Sequence, residues 1–345
     1  MSQQKNAQTL LLVLLLVALY SITMMLKHQV KSDFSVGFYL SFLSDFLLQA
    51  LIRLKRFWLF DRLYAVTQIT EDTFEQAQDI LRAAPIIDLQ GITFIDPYGM
   101  VGLLEIGELS QSEGVQKTLF LPGSEEVLKY LDRMDFFKFA THYFRLEPPK
   151  PDIPEKYLRS SYSDVLLEIT PIEKSDDIHF IVGRVKTRAH AILAKHLHYD
   201  ESAINGFIVA LSEVCQNILE HSEKTGFVGI QKYHFQNLNK NVVKIAVMDI
   251  GIGFRKSLSE RFTVKNDHDA IKKALLHGAS RYADKGRGHG LASVRRFVNQ
   301  WNGKLSIRSG TAKLSIIPQW SRGKQREVNL PYFPGAQINI MLPEV

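Results

Sequence analysis

Apolar positions in residues 57–147 follow two different periods. Residues 85–89 and 117–121 are short apolar runs bounded by glycine or proline, a pattern typical of buried strands. Residues 71–83 and 125–132 instead show the wider spacing that is typical of amphipathic helices. Strands that alternate with helices in this way predict an α/β layer domain whose sheet is rich in parallel strands.

Two local signals refine this region. Thr70 precedes two acidic residues, Glu71 and Asp72, and is therefore predicted to cap the helix that follows. Residues 97–99 read Pro-Tyr-Gly and predict a turn, after which apolar residues at helical spacing begin at Met100.

The clearest boundary is the stretch 148–154, which contains four prolines. Such a stretch cannot continue a helix or a central strand, and it forms a semi-rigid spacer. We therefore predict an apolar helical segment at 1–56, an α/β domain at 57–147, a linker and lead-in at 148–177, and a second domain at 178–345.

The second domain has its strongest pattern after Asp200, which is predicted to be a helix N-cap. Residues 242–248 are rich in β-branched side chains and predict a strand, and residues 291–298 return to helical spacing. The helix after Asp200 is predicted from apolar residues three and four positions apart, namely Ile204, Phe207, Ile208, Leu211, Val214, Cys215, Ile218 and Leu219.

The N-terminal segment is apolar enough to meet a membrane. Residues 10–26 carry no charge, and residues 34–52 form a second apolar stretch. A spanning helix needs about 17–25 apolar residues, and the basic cluster at 53–56 fits a cytoplasmic flank. We therefore predict membrane attachment through residues 10–52, as one helix or a hairpin. A cleaved signal peptide and a helix buried against protein remain alternatives.

Composition excludes several classes of protein. The chain has 345 residues, of which 46% are apolar and 23% charged, and its net charge is +6. The composition is globular, and the length suffices for two domains. So modest a positive charge gives no reason to expect direct nucleic-acid binding. The single cysteine, Cys215, excludes an internal disulfide and a cysteine-rich zinc site. We therefore expect a cytoplasmic protein, anchored at the inner face of the membrane if residues 10–52 insert.

Glu213 and Asn217 are four residues apart, so their side chains share one face of the predicted helix, away from its apolar stripe. A carboxylate there can act near a reacting phosphate, and an amide oxygen can bind Mg²⁺, which keeps water and phosphate as its other ligands. Taken alone, the pair also fits a solvated polar face.

Asp249 follows the predicted strand 242–248, and Gly251 and Gly253 complete the pattern Asp-x-Gly-x-Gly. A carboxylate at this position can accept a hydrogen bond from the exocyclic amine of adenine. Glycines let the backbone approach the base because they have no Cβ. Taken alone, an ordinary glycine turn is the alternative.

A second glycine cluster precedes the helix predicted at 291–298. Backbone N–H groups and the dipole at a helix start favour an anion, here a triphosphate. The polar stretch 262–285 is predicted to be a lid over the nucleotide. The candidate phosphate-binding residues are Lys285, Gly286, Arg287, Gly288, His289, Gly290 and Leu291.

These three elements, in this order, resemble the N, G1 and G2 boxes of the GHKL ATPase superfamily, which includes DNA gyrase and histidine kinases. The resemblance covers residues 178–345 and implies a Bergerat-type α/β sandwich with helices on one face of a mixed sheet. It also implies ATP and Mg²⁺ as ligands. By position, Glu213 would be the general base, Asn217 the magnesium ligand and Asp249 the adenine contact, and the loop 286–290 would hold phosphates.

Within the superfamily, residues 210–222 resemble the first box of anti-sigma-factor serine kinases. The N-terminal domain is similar to a STAS domain, the fold of anti-anti-sigma factors, through residues 86–99 and 131–136. Phosphorylated STAS domains carry serines at the turn where this chain has Pro97 and Tyr98. The resemblance therefore implies a regulatory or docking domain, with Tyr98 packing or capping the helix.

The chain departs from the family pattern in two places. Residues 335–336 read Gly-Ala where many members have Gly-Thr, so a weaker phosphate contact is expected. Residues 310–334 are more than a tight hairpin needs, and their basic stretch 322–326 is predicted to be a solvated turn, with a partner contact as the alternative.

The resemblance implies an ATP-binding signalling protein, and first of all a Mg·ATP-dependent serine/threonine kinase with a STAS-like regulatory domain. An ATP-hydrolysing conformational switch and a non-catalytic ATP-binding scaffold are the alternatives. The expected partner is a protein, such as a STAS-domain or sigma-factor-like regulator, and a homodimer is compatible with the superfamily.

Overall fold

A computed structural model describes residues 67–150, 165–189, 193–222, 224–277 and 290–345. The predicted membrane attachment, most of the proline-rich linker and most of the predicted phosphate loop lie outside the described residues.

The first part of the described chain is a parallel α/β layer. Its elements are β1 (Gln68–Ile69), α1 (Glu71–Ala83), β2 (Ile86–Asp88), β3 (Phe94–Ile95), α2 (Pro97–Ser112), β4 (Lys117–Phe120), α3 (Glu125–Arg133), α4 (Phe136–Tyr143) and β5 (Phe144–Glu147). The strands β2, β4 and β5 form a three-stranded parallel sheet in the order β2-β4-β5, and β1 pairs in parallel with β3. This mixture of helices and parallel strands confirms the predicted α/β class.

The second part is built on one seven-stranded sheet. Its elements are β6 (Val165–Ile172), α5 (Ser175–Ala189), α6 (Lys195–Leu197), α7 (Glu201–His221), β7 (Gly226–Phe235), β8 (Lys240–Asp249), α8 (Gly253–Ser259), α9 (Asp267–His277), α10 (Gly290–Gln300), β9 (Lys304–Gly310), β10 (Ala312–Ile316), β11 (Arg326–Glu327) and β12 (Phe333–Pro343). The strand order is β11-β10-β9-β12-β8-β7-β6.

All described pairings in this sheet are antiparallel, whereas the family resemblance implied a mixed sheet. The connection from β8 to β9 contains helices and does run between strands of the same direction. The last strand, β12, lies between them and is antiparallel to both, so β8 and β9 never pair.

Two helix starts lie where the sequence predicts them. The helix α1 begins after Thr70, whose backbone N–H donates to Thr73 Oγ1 at 2.8 Å. The helix α7 begins after Asp200, whose side chain accepts a hydrogen bond from the backbone N–H of Ala203 at 2.7 Å. Each contact satisfies a backbone donor near the free N-terminal end of its helix.

The predicted turn at residues 97–99 is wrong, because α2 already begins at Pro97. Asp96 is the N-cap, and its side chain accepts a hydrogen bond from the backbone N–H of Gly99 at 3.0 Å. Proline suits the first helical position because that residue has no intrahelical use for an N–H group. The same proline, followed by Tyr98 and Gly99, is what makes the sequence predict a turn.

The seven-stranded sheet has one apolar and one charged face. Its apolar face packs against α5, α7 and α10, with side chains such as Ile245, Ile307 and Ile340 buried. Its other face carries lysines and an arginine that are also buried, because α1 and α2 cover them: Lys244, Lys304, Arg308 and Lys313.

Acidic residues of the first part pair with these cations. Glu71 lies 2.8 Å from Lys304 and 2.7 Å from Lys313, and Asp96 lies 2.8 Å from Lys244. Burial by itself would raise the pKa of Glu71, but the two lysines lower it to about 2.

Glu75 pairs with Arg308 in the same interface. Removing one partner of a buried pair typically costs about 3–5 kcal/mol, because the other charge stays buried. The ion pairs therefore tie the first part to the sheet, and residues 67–345 form one compact unit.

Several segments outside the predicted helices and strands have a defined place. The predicted lead-in contains β6, the edge strand of the sheet, and the start of α5. The predicted lid at 262–285 contains α9, whose residues Ile271 and Leu275 are buried in the core. The long segment after β10 contacts α1, because the carbonyls of Pro331 and Tyr332 accept hydrogen bonds from that helix.

One described helix, α7, is long and apolar enough to cross a membrane by length and composition alone. Its apolar stripe lies in the core, where Phe207, Leu211, Val214 and Ile218 are buried. A core helix passes the same test, so we treat α7 as part of the globular fold.

Candidate functional site

Asp249 is a buried carboxylate at the end of a central strand. It is the last residue of β8, it is 4% exposed, and its Oδ1 accepts a hydrogen bond from the Gly251 backbone N–H at 2.8 Å. Burial raises the pKa of Asp249 to about 6, although the backbones of Gly251 and Ala336 and the hydroxyl of Ser222 act to lower it. A buried acid with one oxygen already bonded is suited to a specific polar ligand.

Asp249 and two other predicted residues, Asn217 and Gly253, line one cavity. The cavity lies between the C-terminal half of α7, the end of β8 and the strand β12. Its walls are mostly apolar and are formed by Val214, Asn217, Ile218, Ser222, Val247, Asp249, Gly253, Phe254, Ala336 and Ile338. An apolar cleft with a few converging polar groups is the usual form of a small-molecule site.

The two glycines after Asp249 are required by close packing. A Cβ on Gly251 would lie 2.0 Å from the Ser222 carbonyl oxygen. Gly253 has φ +70°, a conformation that L side chains rarely adopt, and a Cβ there would lie 2.7 Å from Ser309 Oγ. Gly251 therefore lets the turn pack against the end of α7, and Gly253 lets it pack against β9 and β12.

Asn217 is placed so that its oxygen is available to a ligand. Its Nδ2 donates to the backbone carbonyl of Glu213 at 2.9 Å, and within the described part of the chain no group donates a hydrogen bond to its Oδ1. Among the described residues, no group of three or more His, Cys, Asp or Glu side chains forms a metal cage. A single amide oxygen fits Mg²⁺ that is held mainly by phosphates and water.

The side chain of Glu213, on α7, reaches the start of α10. A Cβ on Gly290, the first residue of that helix, would be 2.5 Å from Glu213 Oε2. The structure thus brings the predicted carboxylate to a helix N-terminus, where negatively charged phosphates are favoured.

Of the predicted phosphate-binding residues, only Gly290 and Leu291 belong to the described part of the chain. Lys285, Gly286, Arg287, Gly288 and His289 lie outside the described residues. Leu291, which follows Gly290, is 5% exposed and its side chain packs in the core. Only its backbone could therefore bind a ligand.

The sequence does not predict that Ser222 and Ala336 line the cavity beside Asp249. Ser222 directly follows the last residue of α7, and nothing in the sequence distinguishes it from an ordinary polar residue at a helix end. Ala336 replaces the family threonine, and the sequence linked it to phosphate. The structure places it in the cavity beside Asp249, with Gln337 Nε2 donating to the Asp249 carbonyl at 3.2 Å.

Comparison with known proteins agrees with this geometry. Residues 204–334 match the family model described as histidine kinase-, DNA gyrase B-, and HSP90-like ATPase. No curated protein and no solved structure matches the chain significantly. The matched range contains Glu213, Asn217 and Asp249, and members of this family bind ATP. The chain therefore contains a GHKL-type ATPase domain at residues 204–334.

Proposed function

We propose that the chain is a Mg·ATP-dependent protein kinase of the anti-sigma-factor type, which phosphorylates a serine or threonine of a protein partner. The observation that carries the proposal is that Asp249 and Asn217 line one cavity. Asn217 lies about one helical turn after Glu213 on α7. The match to ATP-binding domains over the same residues supports it.

Asp249 selects the base in this proposal. Its ionised carboxylate accepts a hydrogen bond from the exocyclic amine of adenine. Guanine presents an oxygen at the corresponding position, which a carboxylate repels. The apolar side chains of Val247, Phe254 and Ile338 provide the surface against which a purine ring packs.

Glu213 is the candidate general base. The hydroxyl oxygen of the partner forms a bond to the γ-phosphorus, and the bond from that phosphorus to the β–γ bridging oxygen breaks. ADP leaves, and the hydroxyl proton moves to Glu213. Asn217 would hold Mg²⁺, which would supply positive charge to the phosphates.

The first part of the chain serves as a STAS-like docking or regulatory module. Its parallel β2-β4-β5 sheet supports this assignment. Tyr98 occupies the position of the phosphorylated serine, but it is 2% exposed and its hydroxyl donates to Glu75 Oε1 at 2.5 Å. A tyrosine held in this way packs rather than accepts phosphate.

The proposed partner is a STAS-domain or sigma-factor-like regulator, which the chain binds in the cytoplasm. Attachment at the inner face of the membrane through residues 10–52 and pairing of two copies belong to the same proposal.

An ATP-driven conformational switch has one observation of its own. The helix α2 lies on β7 and β8, so the module and the nucleotide site share the strand that ends in Asp249. In this second function Glu213 activates water in place of a protein hydroxyl.

The deciding experiment incubates the purified full chain with ATP labelled on the γ-phosphate and with Mg²⁺, alone and with cell lysate. Label on a protein supports the kinase, whereas free phosphate alone supports the switch. ATP binding without either product supports the scaffold, and absence of ATP binding contradicts all three functions.

Matched variants connect the product to the site. Glu213→Gln is expected to abolish turnover while ADP affinity stays nearly unchanged, because the carboxylate acts on the reacting phosphate. Glu201→Gln is the control, since this carboxylate is exposed about three turns earlier on the same helix. Turnover that survives in Glu213→Gln would exclude Glu213 as the base.

A further inference from the structure

Ser222 is a buried hydroxyl in the nucleotide cavity, and the proposed function gives it no role. Its side chain is 2% exposed, and it directly follows the last residue of α7. Among the described residues its Oγ has no hydrogen-bond partner of normal geometry. A buried polar atom left in this state destabilises the folded protein, so its presence needs an explanation.

The surrounding backbone holds Ser222 in place. Its N–H donates to the Ile218 carbonyl at 2.9 Å, and its carbonyl accepts from the Ile252 N–H at 3.0 Å. A Cβ on Gly251 would lie only 2.2 Å from Ser222 Oγ. The hydroxyl is therefore fixed between the end of α7 and the turn after Asp249, at the wall of the cavity.

The Ser222 hydroxyl and the Asp249 carboxylate are neighbours with different hydrogen-bonding abilities. The hydroxyl is close enough to help lower the pKa of Asp249, but it does not meet the geometry of a normal hydrogen bond to it. An ionised carboxylate only accepts, whereas a hydroxyl can donate. The pair thus offers one acceptor and one donor side by side.

The edge of adenine carries the complementary pair, because its exocyclic amine donates and the adjacent ring nitrogens accept. We infer that Ser222 donates a hydrogen bond to a ring nitrogen next to the amine, N1 or N7, while Asp249 accepts from the amine. This inference rests on the proposed ATP site and makes Ser222 a specificity-determining residue for adenine.

The test measures binding of ADP, 1-deaza-ADP and 7-deaza-ADP with Mg²⁺ by calorimetry, using the full chain and Ser222→Ala. Loss of one neutral hydrogen bond should weaken ADP binding to the variant about 3–10-fold. The unaltered chain should lose a similar factor for one of the two deaza analogues. Ser222→Ala should bind that analogue as well as it binds ADP, because the hydroxyl and the ring nitrogen are the two ends of one bond.

Two controls separate this inference from its foundation. Ser202→Ala changes an exposed serine in the first turn of α7 and should leave all three affinities unchanged. Asp249→Asn should weaken binding of all three ligands.

Unchanged ADP affinity in Ser222→Ala would overturn the inference. An equal loss for ADP and both analogues would also overturn it, since Ser222 would then only orient Asp249. If the unaltered chain binds ADP normally in these cases, the proposed ATP site stands. If the unaltered chain binds no ADP, the proposed function and the inference both fail.

Discussion

Asp249 is the residue whose chemistry can be tested most directly, because burial raises its pKa to about 6. The proposed contact to adenine needs the ionised carboxylate, so binding is linked to loss of this proton. Affinity for Mg·ADP should therefore fall as pH is lowered from 7.5 to 5, approaching about tenfold per pH unit below the pKa. Calorimetric titrations across this range measure the effect.

The matched control for this prediction is Asp249→Asn. It should bind about 10–100-fold more weakly at pH 7.5, in line with loss of a buried charged hydrogen bond worth about 1.5–3 kcal/mol. ADP itself titrates in the same range, but it contributes equally to both proteins, so their difference isolates Asp249. Parallel pH profiles of the two proteins would exclude Asp249 as the titrating contact.

At the residue scale, local chemistry made part of the site predictable. Asp249 and Asn217 lie in motifs whose spacing is visible in the sequence, and they do share one cavity. Ser222 and Ala336 enter the same cavity from a helix end and from the last strand, and only long-range packing brings them there. The family pattern links position 336 to phosphate, but no sequence pattern marks Ser222 as a residue of the cavity.

At the scale of elements, α2 presents Glu105 to the interior beside the sheet. Glu105 is fully buried, and neither of its carboxylate oxygens has a hydrogen-bond partner among the described residues. Burial, followed by the nearby carboxylates of Glu108 and Asp249, raises the pKa of Glu105 well above its usual range. Burial thus favours the neutral form of this acid in the folded protein, whereas the unfolded chain ionises it above about pH 4.5.

The expected consequence is a pH-dependent loss of stability. A raised pKa in the folded state contributes stability that is present at low pH and is lost as pH rises toward that pKa. Glu105→Gln removes the titration and should raise the melting temperature by several degrees at pH 8, and by less at pH 5. Thermal unfolding at both values measures this, with the exposed Glu126→Gln as control. An equal shift at both pH values would contradict the assignment.

Elements with local signals were predicted well, and elements defined by distant partners were not. Thr70 and Asp200 cap helices through neighbouring residues, so their positions can be read from the sequence. The alternation of Lys304 and Arg308 with apolar residues is typical of a strand with one solvated face. That face is buried by acids more than 200 positions away in sequence, such as Glu71, whose hydrogen bond with Lys304 spans 233 residues.

At the scale of the whole molecule, the first part and the ATPase sheet behave as one unit. The ion pairs of Glu71 and Asp96 cross between them, and α2 lies on β7 and β8. The proline-rich stretch predicts where one segment of the chain ends and the next begins. It does not predict that the two segments pack against each other. A ligand that stabilises the end of β8 should therefore also stabilise α2 against local unfolding.

Hydrogen exchange tests this coupling. Saturating Mg·ADP should slow exchange at the cavity and also in residues 97–112, because Asp249 ends the strand on which that helix packs. At a nucleotide concentration about 100 times Kd, the folded state gains about 2.7 kcal/mol, enough to slow global and coupled local opening. Asp249→Asn at the same concentration should be protected less in both places, because binding that is about 10–100-fold weaker leaves only about 0.4–1.4 kcal/mol of this gain. Protection confined to residues 204–343 would mean that the module does not respond to nucleotide, which removes the support for the switch and leaves the docking role.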